Sequence, residues 1–281
     1  MYSRLYKALV TVPPLGWVIV FLIAPYLFLF CFSFWSVHSQ MIVHDWSLHN
    51  YVQLVRNPVY FEVLLRSMRI AAMVTVLSLL LAFPLAYYLS FRAHRHKDLL
   101  YQLVIIPLWV SYLVRAYAWK TILGSTGVLN TLLQYTGLTH HPIDFLLYSP
   151  FAVILTLTHI YTPFAFLPIY ASLEHIPRPL IEASADLGAS GARAFRTVVL
   201  PLALPGVIAG ATFAFVLSLG DFLAPILLGG PNGIMISNIV QSLFGAAYDW
   251  PLGAAISLCM LVFVVLLLMT TERLEKRWSF R

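Results

Sequence analysis

Two charged side chains, Asp221 and Arg115, stand inside runs that are otherwise almost wholly apolar. A charge in such a setting is costly, so it is kept for a pairing or for a ligand. Trp109, Tyr112, Tyr117 and Trp119 surround Arg115 in sequence. A carboxylate with aromatic faces nearby offsets the desolvation of an ammonium-type cation without covalent chemistry. Two readings of Asp221 stand side by side: it faces a pathway and attracts a cation, or it pairs with Arg115 as a structural clamp. The four aromatic residues read either as an aromatic cage or as packing and interfacial anchors. His159 reads as hydrogen-bonded to a neighbouring helix or as pore-lining. Other chemistry is thinly represented. His140 and His141 have no third ligand nearby, so no metal site is expected. No G-x-x-x-x-G-K-[ST] phosphate loop is present, so the chain is not expected to hydrolyse ATP or to hold a cofactor. Cys31 and Cys259 lie in apolar runs and read as buried thiols. No catalytic residue emerges.

The elements that must position these residues follow from composition. Of 281 residues, 60% are hydrophobic and 10% charged, against about 25% charged in soluble domains. A water-exposed surface could not be built from this chain, so its solvent is lipid. One transmembrane domain over residues 1–281 is expected. Six runs approach the roughly 20 residues a spanning helix needs: 10–35, 67–91, 99–122, 147–172, 202–228 and 252–271. Continuous runs, rather than apolar–polar alternation, argue for an all-α integral membrane fold and against a barrel. The charge-free run Ala8–Val37 exceeds the 7–15 residues or so of a signal-peptide core, so it is expected to stay attached as the first span. If spans three and five are straight, Arg115 lies about 24 Å and Asp221 about 27 Å from their inner ends, in the outer half of the bilayer.

The net charge of +6 reflects topology rather than nucleic acid. With the N-terminus inside, the inner segments hold Arg4, Lys7, Arg92, Arg95, Lys97, Arg178, Arg193, Arg196, Arg273, Lys276, Arg277 and Arg281, twelve of the seventeen basic residues. Basic inner loops set orientation, so both termini are expected in the cytoplasm. The outer segments near 36–66, 123–146 and 229–251 carry Trp46, Tyr51, Tyr135, Tyr248 and Trp250, as interfacial anchors or as a docking surface.

The inner loop 174–200 is the most informative stretch. Pro179 suits a first helical turn, and Glu182 would follow near that helix's N-terminus, where the dipole favours a carboxylate. Gly188 would end the helix at positive φ, and Ser190 would cap a second short helix carrying Arg193 and Arg196. The expectation is a helix–turn–helix on the cytoplasmic face. Its apolar–polar character alone points rather to a helix that merely lies at the lipid interface.

Glu182, Ala183, Ser184, Gly188, Val198, Leu200 and Pro201 fall at the spacings of the signature loop of ABC-importer permeases, which the stretch resembles. The signature runs Glu-Ala-Ala, three residues, Gly, nine residues, Ile, one residue, Leu-Pro; Ser184 and Val198 are small departures. Pro107–Trp119, Thr126–Asn130, Ser218–Gly230 and Asp249–Ala255 further resemble the spermidine/putrescine permease subfamily, and within it the first of two paired permeases. The resemblance implies a type I ABC importer permease fold in the bacterial inner membrane. It implies a second permease subunit, two cytoplasmic ABC ATPases holding ATP and Mg, and a periplasmic substrate-binding protein. It assigns ATPase coupling to Glu182, Ala183, Ser184, Asp186, Leu187, Gly188 and Arg193, while the substrate-pathway candidates remain those read from the intramembrane charges and their aromatic neighbours: Asp221, Trp109, Tyr112, Arg115, Tyr117 and Trp119. Rival readings are an importer of another small solute, such as an opine, a cationic amino-acid derivative or a metal complex, and a stand-alone secondary carrier.

Overall fold

The computed structural model describes residues 4–38, 41–93 and 95–279. Arg281, one of the basic residues used for orientation, lies outside the described residues, as do the side chains of Arg4, Lys7, Lys276 and Arg277.

The elements follow in chain order. Helix α1 (Arg4–Val18) runs through a π turn at Ile19–Ile23 into α2 (Ala24–Phe32). A short hairpin, β1 (Ser36–His38) with β2 (Met41–Val43), precedes α3 (His49–Arg56). Then come α4 (Pro58–Phe91), α5 (Lys97–Trp109), α6 (Tyr112–Leu123), α7 (Val128–Tyr135) and α8 (Pro150–Glu174). The chain continues with α9 (Arg178–Asp186), α10 (Gly191–Ala194), α11 (Leu200–Gly220), α12 (Ile236–Phe244) and α13 (Trp250–Ser279).

Among the described residues, five helical stretches are long and apolar enough to cross a membrane: Leu9–Phe32, Pro58–Phe91, Pro150–Glu174, Gly191–Gly220 and Trp250–Arg273. A sixth arises if the bent pair Lys97–Trp109 and Tyr112–Tyr135 counts as one. The third expected span is therefore not one rod. It breaks at Val110 and Ser111, both with ψ of 134°, and its halves meet at 95°. Pro107 removes one backbone donor from the last turns of α5, which weakens the helix just before it stops. The fifth span also stops early, at Gly220, with Asp221 at its end; the straight-helix depth given for Arg115, which lies beyond the break in span three, does not apply.

The chain divides into two compact units. In the first, residues 1–61 and 239–263, buried Asn50 donates to the carbonyls of Ser33 and Trp35 at 2.9 and 2.8 Å. Tyr51 donates to Ser33 Oγ at 2.8 Å. These bonds satisfy backbone carbonyls where α2 ends. Asn57 ends α3 and its Oδ1 accepts from Val59 N–H at 3.1 Å, opening α4 as the Asn57-Pro58 pair predicts. Cys31 is half-buried and Cys259 exposed on its helix, so neither is the enclosed thiol expected: their helix faces are left uncovered by this chain.

The second unit, residues 62–238 and 264–281, is built around α8. Thirteen of its 25 residues are buried, which makes it the axis on which the other helices pack. Against α11 the approach is at backbone distance. A Cβ at Gly206 would sit 2.4 Å from the Pro168 carbonyl oxygen, and one at Gly210 would sit 2.7 Å from that of Ala165. Small residues are what allow helix axes this close in lipid. One apolar cluster gathers Leu123, Val153, Leu157, Ile160 and Leu228. The other gathers Leu89, Phe166, Ile169, Leu173, Val199 and Ala203.

Candidate functional site

The intramembrane site grows from a helix break. Helix α11 ends at Gly220, and Asp221 follows with extended ψ of 124°. Its Oδ1 accepts the backbone N–H of Ala224 at 3.0 Å, the geometry of an N-cap for the turn that resumes and runs into the π turn Pro225–Gly229. Carbonyls freed at the break find donors on α12. Ser237 Oγ donates to the Asp221 carbonyl at 2.5 Å, and Asn238 Nδ2 to that of Phe222 at 2.7 Å. Irregular backbone survives within lipid only under such satisfaction.

Asp221 is 7% exposed. Its Oδ2 accepts two phenols, Tyr112 from α6 and Tyr161 from α8, the second at 2.6 Å. Three donors thus converge on this carboxyl group. Among the described residues no ion pair joins it to Arg115; the tyrosines hold it instead. One lone-pair direction on Oδ1 is left over. Beside the group lies a cavity of about 370 Å³ lined by Tyr112, Tyr161, Val216, Gly220, Asp221 and Phe222 among others.

The structure thus joins Asp221 with Tyr112 and adds Tyr161, which sequence reasoning missed. Trp119 goes elsewhere, donating to His159 Nδ1 at 3.1 Å. Trp109 is 87% exposed and Tyr117 is also exposed, and neither lines the cavity. The four aromatic residues do not form one cage in this chain.

The loop 174–200 is built as the sequence predicts at its turn. Helix α9 begins at Arg178 with Pro179 in its first turn. It closes with Gly188 N–H on the Ala185 carbonyl at 2.8 Å and Ala189 N–H on that of Ser184 at 3.0 Å. Gly188 holds φ at +80°. This is a Schellman closure, with glycine in the left-handed position. Ser190 Oγ accepts Arg193 N–H at 3.4 Å, capping α10. Two details differ from expectation. Glu182 is the fifth residue of α9, just past the first turn, within which the dipole acts. The second short helix is not separate: α10 runs through a π turn at Phe195–Val199 into α11 as one stretch, Gly191–Gly220. Glu182, Ala183, Asp186, Leu187, Gly188 and Arg193 are all exposed, Leu187 at 89%, while Ser184 is half-buried. At the foot of α8, Lys97 pairs with Glu174 at 2.7 Å and lies 5.7 Å from the Tyr170 ring centroid.

Residues 1–280 match the family model described as "Binding-protein-dependent transport system inner membrane component". The chain is 36% identical over 262 residues to the spermidine/putrescine transport system permease protein PotB of Escherichia coli (strain K12), covering 93% of this chain and 94% of that protein. It is 39% identical over 234 residues to the inner membrane ABC transporter permease protein YdcU of the same organism, covering 79% and 74%. Among solved structures, it is similar to a chain of a bacterial alginate ABC transporter in complex with an alginate pentasaccharide-bound periplasmic protein. The TM-score is 0.75 at 19% identity, over 97% of this chain and 94% of that one.

Proposed function

Because the chain belongs to the binding-protein-dependent transport system inner membrane component family, we propose that it is the permease through which an ATP-driven importer passes polyamines of the spermidine/putrescine class. It is a non-catalytic, multi-pass ABC importer permease of the inner membrane. The observation that carries the cargo reading is its likeness to PotB over nearly the whole of both chains. The site fits that cargo chemically. Asp221, in a cavity walled by Tyr112 and Tyr161, offers a carboxylate lone pair and aromatic faces to an ammonium group.

In this reading a second permease completes the path, and two cytoplasmic ATPases carry ATP and Mg. Each ATPase grips a loop of the α9 kind, here through Glu182, Ala183, Ser184, Asp186, Leu187, Gly188 and Arg193. A periplasmic binding protein delivers the cargo at the outer side, and both termini lie in the cytoplasm. ATP binding draws the ATPases together, and α9 travels with its ATPase as a lever. The spans tilt, and the cavity opens outward to the loaded binding protein. Hydrolysis returns it inward. The coupling is a difference in ATPase affinity for the two permease states.

The test is uptake by the reconstituted complex in proteoliposomes with its binding protein. ATP-dependent accumulation of labelled spermidine or putrescine, displaced by unlabelled polyamine and not by amino acids or opines, is expected. Displacement by one of those other solutes and not by polyamine would replace the cargo. Uptake that persists without ATP would favour a secondary carrier.

A further inference from the structure

A second cavity adjoins the Asp221 site. It measures about 470 Å³ and lies between α11 and the stretch of α13 that belongs to the second unit. Ile208, Thr212, Phe213, Val216, Thr271 and Glu272 are among its walls. Val216 lines this cavity and the Asp221 cavity alike. Ile208, Thr212, Val216 and Gly220 recur every four residues through the two cavities, so they stack along one face of α11. From Ile208 to Gly220 that face rises about 18 Å. The cavities follow one another along it, with an acidic side chain at each end, Asp221 and Glu272. An acidic residue at the edge of such an apolar passage is a candidate for function.

The polar side chains in the walls of the second cavity are Thr212, Thr271 and Glu272. Thr212 Oγ1 spends its hydrogen on the Ile208 carbonyl at 2.8 Å, and Thr271 Oγ1 spends its own on that of Leu268 at 2.9 Å. Each hydroxyl oxygen keeps its lone pairs, and an ionised glutamate only accepts. Phe213 adds an exposed aromatic face, which attracts cations. The Asp221 cavity repeats this chemistry. Tyr112 and Tyr161 give their hydrogens to Asp221 and keep phenol oxygens and ring faces. A passage of acceptors and ring faces between apolar rungs suits a solute of ammonium groups joined by methylenes. We propose that Glu272 is a second cation station, on the α9 side of Asp221, which takes an ammonium group of the cargo after Asp221 has held it. Thr212 and Thr271 accept hydrogen bonds from the cargo between the two. This role rests on the cationic-cargo reading of the Asp221 site.

The experiment follows labelled spermidine into proteoliposomes that hold the whole importer and its binding protein. Glu272→Gln is expected to cut the maximal rate by about fivefold or more, since the ammonium loses a charge-assisted partner. The half-saturating concentration of loaded binding protein should not move, because docking precedes contact with Glu272. Glu272→Asp keeps the charge and should keep most of the rate. A thiol probe reads the groove without transport. In a Cys31→Ala, Cys259→Ala background, Thr212→Cys should react several-fold faster with a cationic methanethiosulfonate than with an anionic one. Spermidine should slow that reaction, and adding Glu272→Gln should erase the preference. A wild-type rate in Glu272→Gln overturns the proposal. So does an equal loss in Glu272→Asp, or a loss matched by poorer recovery of the partner subunits, since Glu272 would then serve the fold. If the wild-type importer carries no polyamine, the cargo reading fails by itself and the thiol decides the groove. A cation preference abolished by Glu272→Gln upholds the station, and equal rates for both reagents overturn it.

Discussion

At Asp221 the charge and the fold are bound to the same atoms, and substitutions separate them. Asp221→Asn keeps an oxygen for the Ala224 N–H but removes the charge and sets an amide against two phenols that both donate. Polyamine uptake should fall by about tenfold or more, since the ammonium loses a charge-assisted partner, while the variant still co-purifies with the complex. Loss of assembly would show a purely structural clamp, and wild-type uptake would remove both roles. Tyr161→Phe takes away one bond to a charged acceptor, worth about 1.5–3 kcal/mol; a lower melting temperature with the importer still assembled is expected. A second carboxylate lies outside the spans. Ser36 Oγ donates to Asp45 Oδ1 at 2.7 Å and holds that carboxyl below its ordinary value. The bond therefore stabilises the segment above the unfolded-state value, and the contribution is lost as pH falls through the lowered one. Ser36→Ala should move the Asp45 titration upward, as read by carboxyl chemical shifts in micelles. Asp221 and Tyr112 were legible because a charge in an apolar run demands a reason. Tyr161 was not, since a tyrosine among many aromatics gains meaning only once α8 is known to face the break after Gly220.

Helix α9 shows how far local chemistry alone specifies an element. Pro179, Gly188 and Ser190 each act on their own backbone, so the start, the closure and the following cap could be read before any tertiary contact was known. The breaks in spans three and five could not. Hydropathy averages apolar content over a window and is blind to the extended ψ at Val110, Ser111 and Asp221. What permits the break at Asp221 is the set of partners that Ser237 and Asn238 bring from another element. The closure at Gly188 carries a test of the lever. Nothing lies within 4 Å of a Cβ built there, so a side chain is opposed only by the +80° φ, roughly 1–2 kcal/mol. Gly188→Leu should redirect the loop after α9 while the spans stay folded. Transport per ATP hydrolysed should drop several-fold in vesicles, with ATPase activity retained. Gly188→Asn tolerates the left-handed region better and should recover much of the ratio. Normal coupling in the Leu variant would show that the turn does not transmit force.

At the scale of the whole chain, composition and run length were enough for a helical membrane protein, because lipid leaves an all-helical chain few alternatives. Which end of each helix meets the cytoplasm is a separate matter, resting on the loop charges. Helix α8 makes it testable. Its 25 residues rise about 37 Å, enough to cross the roughly 30 Å hydrocarbon core, so the segments flanking it must emerge on opposite sides. Arg178, Arg193 and Arg196 follow its C-terminal end, whereas the segment 123–146 before it contains no Lys or Arg. The positive-inside bias then puts the α9 loop in the cytoplasm, where an ATPase could reach it. In a background with Cys31→Ala and Cys259→Ala, single cysteines are placed by Ser190→Cys and His141→Cys, both at exposed positions. A membrane-impermeant maleimide should label the His141→Cys chain in spheroplasts and the Ser190→Cys chain only after the membrane is opened. The reverse pattern would turn the molecule over and leave Leu187 and its neighbours on the side without ATP. Labelling of both in spheroplasts would mean that α8 does not cross at all.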